Sequence, residues 1–87
     1  MKNMTLERAA RVCGGRLCGE YTEESELGRV VIDSREVTPG DFFVAYKGEK
    51  ADGHDYITAA FDCGAVCCLA ERIPEGETRP VILVPDV

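Results

Sequence analysis

The sequence predicts an α/β fold, a three-layer α/β/α sandwich on a small mixed β-sheet. Three observations predict it. Several short runs are apolar at consecutive positions, among them Val30-Val31-Ile32, Phe42-Phe43-Val44-Ala45 and Val81-Ile82-Leu83-Val84. Strands apolar on both faces need cover on both faces. Helical patterns precede the first run and separate two later ones, which supplies that cover. The length of 87 residues fits one compact domain, 1–87, and not two.

The elements follow in order. Thr5 is the expected N-cap of a first helix. Leu6, Ala9, Ala10 and Cys13 form its apolar stripe, and Gly14-Gly15 ends it. Residues 16–19 read as a short strand and 20–25 as a solvated loop. Residues 27–33 read as a strand rich in β-branched side chains. Thr38-Pro39-Gly40-Asp41 has the type II turn signature, with Pro second and Gly third. Residues 42–46 form the next strand, followed by a polar loop over 47–54. Asp55 is the expected cap of a second helix with the stripe Ile57, Ala60 and Phe61, closed by Gly64. Residues 65–70 and 81–84 are the last strands, joined by a charged loop. The unit strand 42–46, helix, strand 65–70 predicts a right-handed βαβ crossover. Short, hairpin-like links elsewhere predict antiparallel members as well. Two short helices cover such a sheet thinly, so a bare apolar patch is expected where neighbouring domains would pack. The chain ends just past a strand, which predicts a fragment of a longer multidomain protein.

Composition excludes several classes. The chain is 45% hydrophobic and 30% charged, without low-complexity tracts, so it is not disordered. Its net charge of −6 disfavours an electrostatic nucleic-acid binder. No run approaches the roughly 18 apolar residues of a membrane helix. Residues 1–5 carry no apolar stretch of signal-peptide length. A cytoplasmic location is expected, with no membrane or nucleic-acid partner. Cys13, Cys18, Cys63, Cys67 and Cys68 make an odd count, awkward for a disulfide framework. Adjacent Cys67 and Cys68 would face opposite sides of a sheet, so structural thiols are expected and no metal site.

No self-contained catalytic site is visible. The Gly-x-x-x-x-Gly-Lys-Ser/Thr loop, a Gly-x-Gly-x-x-Gly after a strand and His-Glu-x-x-His are all missing. The single histidine, His54, reads as a loop or cap residue. Asp52 with Asp55 is a carboxylate pair that a cap and a solvated loop explain equally well. Two loops suit binding better. Asp33-Ser34-Arg35 follows one apolar strand, and residues 48–55 follow another and open a helix. Open α/β sheets bind ligands at the carboxyl ends of strands, and a helix start favours an anion. Arg35, Lys47 and Lys50 add positive charge, while Glu49, Asp52 and Asp55 oppose it. Turn formation explains the same residues, and spacing alone leaves both readings open.

At these loops the sequence resembles the amino-terminal domain of the Mur ligases. The resemblance rests on Asp33-Ser34-Arg35-x-Val37-x-Pro39-Gly40-Asp41-x-Phe43-Val44-Ala45, then Gly48-Glu49-x-x-Asp52-Gly53-His54-Asp55-Tyr56-Ile57, then Ala60 and Gly64-Ala65. It runs from about Met4 to Val84. The family builds the peptide of bacterial peptidoglycan by ATP-dependent amide ligation. Two late members carry the string. One adds D-alanyl-D-alanine to UDP-N-acetylmuramoyl tripeptide. The other adds the third residue, diaminopimelate or lysine. The opening Met4-Thr5-Leu6-x-x-Ala9-Ala10-x-x-x-Gly14-Gly15-x-Leu17-x-Gly19 is more similar to the former.

The resemblance implies that this domain holds the UDP end of a UDP-N-acetylmuramoyl peptide. It implies contacts at Ile32 and Ser34 on the first loop and at Glu49, Lys50 and Ala51 on the second. Arg35 belongs to the same motif, as a contact or as a structural residue. It further implies that ATP and Mg2+ are bound by a central domain absent from these residues, with a carboxyl-terminal domain beyond it. The 87-residue chain is then expected to bind no cofactor and to be inactive alone. A stand-alone nucleotide-sugar module and a protein-interaction module are the competing expectations.

Overall fold

A computed structural model describes residues 5–21, 26–46 and 52–85. Helix α1 (Leu6–Cys13) starts where the Thr5 Oγ1 accepts the Arg8 N–H at 3.2 Å and stops at Gly14, φ 70°. Leu6, Ala9 and Ala10 are buried as the stripe requires, but Cys13 is exposed. The stripe therefore ends one turn earlier than the spacing implied.

Five strands form one sheet: β1 (Arg16–Cys18), β2 (Val30–Val31), β3 (Phe42–Val44), β4 (Cys67–Ala70) and β5 (Val81–Leu83). Their order is β1-β5-β4-β3-β2. Strands β2 to β5 are mutually parallel, and only β1 runs antiparallel, against β5. The expected mixed sheet is present, but the hairpin-like links are not its cause. The short connections from β2 to β3 and from β4 to β5 join parallel neighbours. The antiparallel pair joins the first strand to the last.

Alternation sorts the core into two layers. Phe42, Cys67, Ile82 and Val84 pack with Leu6, Ala9 and Ala10 under α1. Phe43, Ala45, Cys68, Ala70 and Val81 pack with Ile57, Ala60 and Phe61 of helix α2 (Ile57–Asp62). Strands β3, β4 and β5 thus contribute to both faces, the arrangement expected of a doubly covered sheet. The adjacent thiols Cys67 and Cys68 fall on opposite faces as the pleat dictates.

Cover fails at β2. Val31 is buried, but Val30 and Ile32 are 52% and 65% exposed, and Tyr46 beyond β3 is 57% exposed. The strand expected over 27–33 shrinks to Val30–Val31 because this end of the sheet has a helix on one face only. Among the described residues, no helix is long and apolar enough to cross a membrane.

The β2–β3 connection is a 3-10 turn (Ser34–Glu36) followed by the expected type II turn. Gly40 takes φ 91°, and the Asp41 N–H donates to the Thr38 carbonyl at 3.1 Å. The buried Asp41 carboxylate accepts from Thr38 N (2.8 Å), Thr38 Oγ1 (2.9 Å) and Arg29 Nη2 (2.9 Å). The Arg29 guanidinium, then the Thr38 N–H, hold the Asp41 carboxyl below its ordinary range. Gly64, φ 108°, lies against this turn. A Cβ there would stand 2.7 Å from Pro39 Cα, and its carbonyl accepts the Gly40 N–H at 2.9 Å. The end of α2 is thereby fastened to the turn that opens β3.

Candidate functional site

Two loops leave the carboxyl ends of the adjacent parallel strands β2 and β3, so they emerge side by side at one edge of the sheet. The Ser34–Glu36 turn packs against α2, the helix that the second loop leads into. Sequence reasoning placed both loops at this edge, and the register puts the ends of the two strands they leave there.

On the first loop Asp33 is the organising residue. Its Oδ1 accepts the Arg35 N–H at 2.9 Å and caps the turn. Its two oxygens also receive the Arg35 guanidinium, Nε at 3.1 Å and Nη2 at 2.8 Å. The guanidinium, then the backbone N–H, hold the Asp33 carboxyl below its ordinary range. Arg35 is 88% exposed along its side chain, so this pair orients the cation and adds little stability. Ile32 is exposed beside it. Ser34 is half-buried, and its hydroxyl has no partner among the described residues. That hydroxyl is one donor and one acceptor presented at the sheet edge.

On the second loop Glu49, Lys50 and Ala51 lie outside the described residues, as does Lys47. Its exit is well defined. Asp52, not Asp55, is the cap: Asp52 Oδ1 accepts the His54 N–H at 3.0 Å and opens a 3-10 turn (Gly53–Tyr56) that leads into α2. Asp55 is exposed, and α2 itself begins at Ile57, its N-cap Tyr56 making no side-chain cap bond. The cap moved because the chain makes a 3-10 turn before the α-helix. The first amides of this turn are also occupied. Gly53 N donates to the Tyr46 carbonyl (2.8 Å), His54 N to Asp52 Oδ1, and Asp55 N to the Asp52 carbonyl (3.0 Å). The expectation that this helix start receives an anion is therefore corrected: the N–H groups of residues 53–55 have partners within the loop.

His54 is buried and structural, as its loop or cap reading required. Its Nδ1 lies 2.6 Å from Asp52 Oδ1, and its Nε2 accepts the Glu71 N–H at 2.9 Å. Because Nε2 accepts, Nδ1 carries the hydrogen and donates to Asp52. Arg72 Nη2 takes the other Asp52 oxygen at 3.2 Å. The His54 N–H first, then its ring, hold the Asp52 carboxyl well below the carboxylate range. Sequence reasoning missed this link from the loop to the end of β4. The available signal was a carboxylate two residues before a histidine at a helix start. Glu71 and Arg72 carried none, since their distance along the chain hides the contact.

The fold and this edge define a class: a small α/β module presenting two loops at the carboxyl ends of neighbouring parallel strands, where ligands of open sheets bind. The comparisons with known proteins give the family. A model described as "Mur ligase family, catalytic domain" matches residues 26–84. The chain belongs to the Mur ligase family. It is 38% identical over 99% of its length to the UDP-N-acetylmuramoyl-tripeptide--D-alanyl-D-alanine ligase of Mycobacterium leprae, covering 17% of that protein. It is 49% identical over 63% of its length to the UDP-N-acetylmuramoyl-L-alanyl-D-glutamate--2,6-diaminopimelate ligase of Geobacillus thermodenitrificans, covering 11% of it. A crystal structure of MurF from Acinetobacter baumannii superposes with a TM-score of 0.82 at 26% identity, over 95% of this chain and 18% of that one. The MurF ligase of Thermotoga maritima in complex with ADP superposes with a TM-score of 0.60 at 46% identity, over 64% of this chain and 13% of that one. The chain thus spans less than a fifth of the length of these relatives.

Proposed function

We propose that this chain is the substrate-anchoring domain of a cytoplasmic ATP-dependent ligase that adds D-alanyl-D-alanine to UDP-N-acetylmuramoyl tripeptide. In this reading it holds the UDP end of that substrate. The observation that carries the reading is the Ser34 hydroxyl, without a partner among the described residues, on a capped turn that leaves the carboxyl end of β2, next to that of the parallel strand β3. Ser34 donates or accepts at a uracil or ribose edge, Ile32 supplies apolar contact, and Arg35, fixed by Asp33, adds positive charge towards a diphosphate. Glu49, Lys50 and Ala51 complete the site on the second loop. The net charge of −6 opposes an anion, so the attraction is local.

The ligase's chemistry belongs to other parts of the longer polypeptide. The family's reaction activates a carboxylate as an acyl phosphate with ATP and Mg2+, and an amine then displaces the phosphate. The residues here do not fit those groups. The sequence has no Gly-x-x-x-x-Gly-Lys-Ser/Thr. Among the described residues, no group of three or more His, Cys, Asp or Glu is placed to hold a metal ion. No catalytic step is assigned to this chain. The bare apolar positions Val30, Ile32 and Tyr46 support its being one domain of several.

One observation favours a second reading, the ligase that adds the third residue: the relative of that class is 49% identical over its shorter match. The longer match, which takes in nearly the whole chain including α1, favours the D-alanyl-D-alanine-adding class. Ser34→Ala in the full-length enzyme tests the anchoring role. The expected outcome is a KM for the UDP-linked substrate raised about tenfold, as one lost polar contact implies, with kcat little changed. A drop in kcat alone contradicts it. Comparing D-alanyl-D-alanine with diaminopimelate or lysine as the incoming amine separates the two ligase readings.

A further inference from the structure

Tyr46 follows the carboxyl end of β3 and is 57% exposed, although its backbone is fixed on both sides. Its N–H donates to the Val44 carbonyl at 2.9 Å, and its carbonyl accepts the Gly53 N–H at 2.8 Å. A Cβ on Gly53 would stand 2.8 Å from the Tyr46 nitrogen, so only glycine permits this approach. The preceding residue, Ala45, is fully buried, and its N–H donates to the Leu69 carbonyl at 2.8 Å. An aromatic side chain is thus presented to solvent from main chain tied to β4 on one side and to the start of the 3-10 turn on the other.

Its place gives the ring a use. The register of Val31 with Phe43 sets the ends of β2 and β3 side by side. Tyr46 therefore lies at the edge where Ile32 is exposed and the Ser34 hydroxyl has no partner among the described residues. A nucleobase has two apolar faces and a polar rim. It is held by stacking on an aromatic side chain and by hydrogen bonds to the rim. Tyr46 supplies the ring, and Ser34 supplies a donor and an acceptor. Stacking also suits the charge of the chain. It needs no cation, whereas a net charge of −6 works against holding a diphosphate. Packing against another domain accounts for the exposed Val30 and for any apolar side chain at position 46, but it gives no role to a hydroxyl at the same edge.

We propose that Tyr46 is a specificity-determining residue of the anchoring site, the platform on which the pyrimidine base of the UDP-linked substrate stacks. The inference rests on the anchoring function above and deepens it: the domain recognises its ligand by the base more than by the phosphates.

The test is inhibition of the full-length ligase by UDP and by dihydrouridine diphosphate, each competing with the UDP-linked substrate. Saturating one bond of the base puckers the ring and removes its aromaticity, yet keeps its N–H and both carbonyl groups. The wild type is expected to bind UDP about tenfold more tightly than the dihydro compound. Tyr46→Ala is expected to raise the Ki for UDP and the KM for the substrate about tenfold. It should move the Ki for the dihydro compound less than about twofold, so the preference is lost while kcat stays within about twofold. Tyr46→Phe should keep the preference. If Tyr46→Ala does not fold, Tyr46→Leu, apolar but without a flat ring, carries the test with the same loss. The proposal is overturned if the wild type shows no preference or if the alanine and leucine variants retain it. It is also overturned if kcat falls while both Ki values stay fixed, the mark of a ring that packs against another domain. Ser34→Ala is measured in parallel and should raise both Ki values without changing their ratio. If it does so and the Tyr46 variants keep the preference, stacking fails and anchoring stands. If neither substitution moves any Ki, both fail.

Discussion

Asp41 should be the most costly polar residue of the β2–β3 connection to remove. One oxygen, Oδ2, accepts from Thr38 N at 2.8 Å, Thr38 Oγ1 at 2.9 Å and Arg29 Nη2 at 2.9 Å. Asp41→Ala removes all three, and Arg29 keeps its bond to the Glu36 carbonyl at 3.0 Å. A bond to a charged acceptor contributes about 1.5–3 kcal/mol, but Thr38 and Arg29 are exposed and regain water, so each counts at or below the low end. The Arg29 side chain is 61% exposed, so water screens its ion pair and it adds only a little. The Thr38 amide and hydroxyl contribute about 1–1.5 kcal/mol each, which gives a loss of about 3 kcal/mol. Asp41→Asn keeps a neutral oxygen in place and should lose about half of that. For a domain of this size each kcal/mol moves Tm by about 4–8 °C, so alanine should lower it by about 12–24 °C and asparagine by about 6–12 °C. Thermal melts followed by far-UV circular dichroism at pH 7, with urea titrations for the slope, measure both. An Asp41→Ala chain melting within about 4 °C of wild type would refute the assignment of this carboxylate as the pin of the turn.

Acid should destabilise the chain over a defined window. Asp41 and Glu77 are both held below their ordinary range, Asp41 first by Arg29 and Glu77 first by Arg79. The unfolded chain then binds protons first, as pH drops below about 4.5, and stability falls from there downwards. These groups should leave the urea midpoint flat between pH 7 and 5 and lower it by pH 3; an equal midpoint at pH 3 and 7 would contradict their role. The thiols should divide by burial. Cys13 and Cys63 are exposed, whereas Cys67 and Cys68 are buried and burial pushes the Cys67 thiol up to about 12. At pH 8 iodoacetamide should label Cys13 and Cys63 in the native chain and reach Cys67 and Cys68 only after denaturation, with peptide masses as the readout. Rapid native labelling of either buried thiol would contradict the layer assignment.

The layers were legible because consecutive apolar residues have one structural explanation. Phe42 and Phe43 must face opposite ways, and so must Cys67 and Cys68, which demands helices on both sides. Turns with a backbone requirement were legible too: Gly14, Gly40 and Gly64 all adopt positive φ where the pattern put a stop or a turn. Pairing direction was not legible from link length. A 3-10 turn shortens the route from β2 to β3 enough to mimic a hairpin, and the antiparallel partner of β1 lies at the other end of the chain. The second helix cap was misplaced for a related reason, since Asp52 and Asp55 both precede the stripe and only the 3-10 turn distinguishes them. At the candidate site, the sequence indicated which loops leave the carboxyl ends of strands, and those strands, β2 and β3, are neighbours. It could not indicate that Glu71 and His54 meet, because no local pattern encodes a contact across two elements.

The residues that carry the family resemblance divide by what they bond to, and most of them hold the scaffold. Val37, Phe43 and Ala45 are buried in one layer, and Gly64 clears space for Pro39. Gly40 and Asp41 shape the turn, while Asp33 caps one loop and Asp52 with His54 closes the other. Among the described residues of the string, Ser34 is one whose side chain has no such bond. If the proposed site is right, this division is how an acidic chain would keep that edge open to a phosphorylated ligand. Asp33, Asp41 and Asp52 each lie on a cation or an N–H of the fold, so their charge is neutralised locally. The carboxylates near the loops therefore act as fasteners for the backbone. Neutralising one by mutation should loosen a loop rather than relieve repulsion of the ligand. On the proposed reading, Asp33→Asn is accordingly expected to weaken substrate binding even though it removes a negative charge beside the proposed site. A tighter substrate KM in that variant would show that the overall field governs this edge, and not the bonds that shape it.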